Sequence, residues 1–179
     1  MTETGFWHLL RYRVLFVVLC GLSILVYLLP FGQSGVRIPA PDLVYLITVA
    51  WVLRCPHYAP VLLVGALAFA ADIFLQRELG LHALALVIAS DMFRRRYVTF
   101  AQSGFVFEWA SVGLAFFGVL IAEKIILSVT FSTSPGFVDL AFFAGITAVF
   151  YPVVVYLSKF LFSVERPVEG ARKSRRVSA

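Results

Sequence analysis

"FAADIFLQRELG", residues 69–80, sets an aspartate, Asp72, inside a stretch otherwise built for lipid. VLLVGALA precedes it and LHALALVIAS follows. An ionised group at bilayer depth costs roughly 2.5 to 3.5 kcal/mol on insertion scales and turns to the protein interior. The stretch therefore implies a bundle with an inside, where a carboxylate finds partners.

The whole chain fits that reading. It has 179 residues, 61% hydrophobic and 14% charged, with a mean hydropathy of +0.92. A soluble domain is about half apolar and about a quarter charged, so this chain belongs in a bilayer. The net charge of +5 lies between the apolar runs and near the end. That placement speaks for membrane topology, and no polar domain is present to hold nucleic acid. Cys20 and Cys55 form no metal spacing or disulfide framework, and no cofactor is expected. Arg11 and Arg13 precede the first run as in a signal peptide. Residues 14–29 are long for such a segment, however, and no A-x-A site follows, so the expectation is an uncleaved span.

Six apolar runs emerge at residues 14–31, 42–53, 60–75, 81–93, 105–131 and 137–162. GQSGVRIPAP (32–41), Arg54-Cys55-Pro56-His57, Gln76-Arg77-Glu78, Arg94-Arg95-Arg96 and STSPG (132–136) separate them. The expected organisation is a cytoplasmic N-terminus over 1–13, an all-α transmembrane bundle over 14–162 and a disordered basic tail over 163–179. Runs two and four are short enough to be re-entrant, which leaves a four-span alternative. Six spans with the N-terminus inside collect Arg11, Arg13, Arg54, Arg94, Arg95, Arg96, Arg172, Lys173, Arg175 and Arg176 on the cytoplasmic side. Only Arg37 and Arg77 fall outside, which is the asymmetry of the positive-inside rule. The Arg94–Arg96 triplet and the tail cations are expected at the membrane surface.

No G-x-S-x-G, P-loop, G-x-G-x-x-G or H-E-x-x-H occurs, and no enzyme is expected. His8, His57 and His82 fall near run ends and read as interfacial. Asp72, Glu123 and Lys124 are intramembrane, and the six-span layout puts them in one layer with Asp139. The bland expectation is an Asp72–Lys124 ion pair fastening run three to run five. The sharper one is a polar site, with Tyr27 or Tyr151 as further candidates. Gly65, Ala68 and Asp72 share a helical face, and small residues there let backbones approach. Asp91 lies three and four residues before Arg94 and Arg95, and local pairing is expected.

Pro41-Asp42-Leu43, then Gly65-x6-Asp72, then Leu79-Gly80 with Ala83-Leu84, form an ordered set that resembles the rod shape-determining MreD family, over about half the chain. "LQRE" before Leu79-Gly80 departs from the pattern by lacking a glycine. The resemblance implies a six-helix bundle similar to the substrate-binding component of energy-coupling factor transporters. It implies a non-enzymatic bacterial inner-membrane protein with both termini cytoplasmic. Its direct partner would be MreC, within the elongation machinery of MreB, RodZ, RodA and a penicillin-binding transpeptidase, supporting lateral peptidoglycan synthesis and cell shape. The rival expectation is a small-solute binding or transport subunit, which needs a pocket of convergent polar groups.

Overall fold

The structure, a computed structural model, describes residues 3–29, 40–129 and 136–162. Most of the expected 32–41 loop, most of the 132–136 turn, and the tail with Arg172, Lys173, Arg175 and Arg176 lie outside the described residues. Seven helices form within them: α1 (Glu3–Leu28), α2 (Leu43–Arg54), α3 (Val61–Phe74), α4 (Leu81–Arg95), α5 (Tyr97–Gln102), α6 (Phe105–Val129) and α7 (Phe137–Phe162). The apolar runs are thus helices, with two corrections. The first helix reaches back over residues assigned to a terminal segment, and the short α5, whose YVTFAQ carries no apolar run, was not expected.

Three helical segments, Trp7–Leu28, Phe105–Val129 and Phe137–Phe160, are long and apolar enough to cross a membrane. The other three major helices are shorter. At 1.5 Å per residue α2, α3 and α4 span about 18, 21 and 22 Å, against a hydrocarbon core of about 30 Å.

A helix apolar on every side belongs in the middle, and α2 (LVYLITVAWVLR) is such a helix. Residues 44–54 are all buried. α1, α3, α4, α5 and α7 pack against it, and Tyr45 reaches α6, stacking at a tilt on Phe116 and donating to the Val112 carbonyl. Around α2 the long helices turn Leu22, Leu25, Leu114, Ile125, Val149 and Phe160 outward, a surface suited to lipid.

Successive major helices alternate in direction. Arg13 of α1 reaches the His57 carbonyl, and Arg94 of α4 donates to the carbonyls of Pro56 and Ala59. These contacts gather the start of α1, the α2–α3 connection and the end of α4 at one end, rich in arginine. Tyr27, Asp42, Gly80 and Glu123 gather at the other. Arg94 therefore spends its guanidinium on the α2–α3 connection, while Arg95 pairs with Asp91 at 2.6 Å as expected.

Candidate functional site

Asp72 answers to a helix end. Gly80 starts α4 with φ +81° and has no side chain to cap with. The Asp72 carboxylate supplies the cap from α3: its Oδ2 accepts from the backbone N–H of Gly80 at 3.0 Å and of Ala83 at 3.1 Å. Two otherwise orphaned donors are satisfied, and the negative charge sits at the positive end of the helix dipole. The anticipated Asp72–Lys124 pair is absent among the described residues. The reason is geometric, since the carboxylate is already turned toward the α4 terminus. Gly65 serves the same junction, where an added Cβ would lie 3.4 Å from Val87 Cγ2.

Asp42 organises a larger cluster. Its Oδ1 accepts from Tyr45 N–H at 3.0 Å and caps α2. Its Oδ2 lies 2.9 Å from Arg77 Nη1 and 3.1 Å from His82 Nε2. Its backbone N–H donates to Thr147 Oγ1 of α7 at 3.2 Å. His82 Nδ1 then meets Glu123 Oε1 of α6 at 2.7 Å. A charge chain Arg77–Asp42–His82–Glu123 thus ties the end of α3 to α2, α4 and α6. Burial alone pulls the Arg77 guanidinium down, but the Asp42 carboxylate beside it more than compensates and holds it above its ordinary value. His82 is buried, which corrects its reading as interfacial, and the partly buried Arg77 turns toward Asp42. Tyr27 closes this end, its hydroxyl 2.6 Å from the carbonyls of Ala40 and Pro41.

The chain borders a cleft of about 390 Å³ lined by Arg77, His82, Glu123, Lys124 and Asp139, with Leu120, Leu127, Leu140 and Phe143 beside them. Glu123, Lys124 and Asp139 do share a layer. Asp72 is not among the lining residues.

A second polar group closes the arginine-rich end. Arg54 Nη2 donates to Glu108 Oε1 at 3.1 Å, and the Tyr151 hydroxyl donates to the same oxygen. Arg54 Nη1 also donates to the Ala50 carbonyl at 2.9 Å. Tyr151 consequently stands apart from the cleft. Of the remaining motif residues, Leu43 opens α2, Pro41 accepts from Tyr27, and Leu79 is exposed on the α3–α4 connection. Residue-by-residue reading missed His82, Arg77, Arg54 and Glu108 as paired groups. The available signal was topological, because alternating helices put Arg54 beside the start of α6, and Arg77 and His82 beside Asp42.

Comparison with family models, with curated proteins and with solved structures returns no match.

Proposed function

We propose that this protein is a non-enzymatic, six-span component of the bacterial elongation machinery, of the MreD type. It binds MreC directly in the inner membrane and supports the control of lateral peptidoglycan synthesis by MreB, RodZ, RodA and a penicillin-binding transpeptidase. The observation that carries the reading is the use made of the motif aspartates. Asp42 of Pro41-Asp42-Leu43 and Asp72 of Gly65-x6-Asp72 both fasten helices to one another. Residues spent on holding a bundle rigid suit a protein whose product is a surface for partners. Helices α2, α3 and α4 count as spans although short. Polar groups at membrane depth are tolerated where protein buries them or where they line a cavity, and the ends of α2 meet that condition. The arginine-rich end is then cytoplasmic. The fold proposed is similar to that of the substrate-binding component of energy-coupling factor transporters.

Purification in mild detergent followed by mass spectrometry tests this. Recovery of MreC with cell-wall synthesis proteins is the expected outcome. The cleft favours a second reading, a small-solute binding or transport subunit, and recovery of an ATPase pair with a coupling subunit would replace the first reading by it.

A further inference from the structure

A second cavity adjoins the cleft. It is an apolar groove of about 370 Å³ between α4 and α6, and Glu123 belongs to both cavities. Small residues line it: Ala85 and Ala89 on α4, and Ala115, Gly118 and Ala122 on α6. Its length is set by the helices. From Leu81 to Met92 on α4, and from Ala115 to Ile126 on α6, the lining covers eleven steps, about 16 Å at 1.5 Å per residue. That covers most of α4 and the half of α6 nearer the cleft. The polar cleft lies at one mouth of the groove, where Glu123 joins the two, and the other end reaches Met92 on α4 and Ala115 on α6.

We infer that cleft and groove form one site for a phospholipid with a zwitterionic, amine-bearing headgroup, drawn from the leaflet at the Asp42 end. One acyl chain lies in the groove, close against the small side chains. The headgroup enters the cleft, where both signs of charge are on offer. Lys124 and Arg77 face the phosphate. Asp139 and Glu123 face the ammonium, whose three N–H donors suit carboxylate acceptors. A trimethylammonium headgroup has no such donors. A purely anionic headgroup would keep the phosphate contacts but bring no cation to the carboxylates of Asp139 and Glu123.

The test uses the full chain, delipidated in detergent and returned to nanodiscs of phosphatidylethanolamine, phosphatidylcholine or phosphatidylglycerol. The melting temperature is expected to rise most with phosphatidylethanolamine. Gly118→Leu fills the groove, and a Cβ there meets nothing within 4 Å, so this variant should melt like the parent in lipid-free detergent. It should need at least tenfold more phosphatidylethanolamine for the same rise. Asp139→Asn should erase the preference for phosphatidylethanolamine over phosphatidylcholine. Equal responses of the parent to all three lipids, or an unchanged response in Gly118→Leu, would overturn the inference. Native mass spectrometry of the parent supplies a measurement that needs no variant. One retained phosphatidylethanolamine in competition with the other two is expected, and retention of phosphatidylglycerol instead would refute the site.

Discussion

At the scale of single residues, Asp72 joins two helices through backbone donors. Asp72→Ala should lose about 1 to 2 kcal/mol, the usual cost of removing an N-cap acceptor, while Asp72→Asn keeps an acceptor and should lose less. Because no ion pair links Asp72 to Lys124, the losses in Asp72→Asn and Lys124→Met should add to within about 0.5 kcal/mol in the double variant. Thermal melts of the parent, both singles and the double decide this; recovery in the double would restore the pair. Arg54 and Glu108 should behave in the opposite way, since both side chains are almost wholly buried. Glu108→Leu leaves a buried guanidinium and should cost on the order of 3 to 5 kcal/mol. Adding Arg54→Met should return much of that stability in the same melts, and simple addition of the two losses would count against the pair. Charge cost alone made Asp72 legible as an interior residue. Its partner was not legible, because a capping N–H belongs to every sequence equally.

Among the elements, α7 carries Pro152 in its interior. Proline has no N–H, so the Ala148 carbonyl four residues earlier loses its helical donor. Trp109 of α6 replaces it, its indole N–H donating to Ala148 at 2.7 Å. The helices approach closely at this point, for a Cβ on Gly113 would lie 3.0 Å from that of Ala148. Trp109→Phe should therefore cost about 1 kcal/mol in the parent and clearly less in Pro152→Ala, where the helix supplies its own donor. A double-mutant cycle by thermal melting measures the difference, and equal losses in both backgrounds would dismiss the exchange. Five of the seven helices were readable from the runs to within two residues, because helix length follows apolar length, while α1 begins well before its run and α5 has none. The central place of α2 was only hinted at by its uniform greasiness, which a lipid-exposed helix would share.

For the molecule as a whole, the proposed topology predicts where a thiol reagent can reach. Cys55 follows α2 at the arginine-rich end, and Cys20 is fully buried. In intact spheroplasts of Cys20→Ser, a membrane-impermeant maleimide should leave Cys55 unlabelled, and permeabilisation should expose it. Burial raises the Cys55 thiol above its ordinary value while Arg54 opposes the rise, so labelling should be slow and quicken with pH. Labelling from outside would reverse the orientation. Composition and run length by themselves determined an all-helical membrane chain, the approximate helix boundaries and the layer shared by Glu123, Lys124 and Asp139, since each follows from local hydropathy and alternation. Only the tertiary structure decided that Asp42 and His82 join one charge chain, that Glu108 takes Arg54, and that α2 stands at the centre. Those outcomes depend on helix rotation, and hydropathy in a membrane protein leaves rotation open because lipid and protein interior are equally apolar.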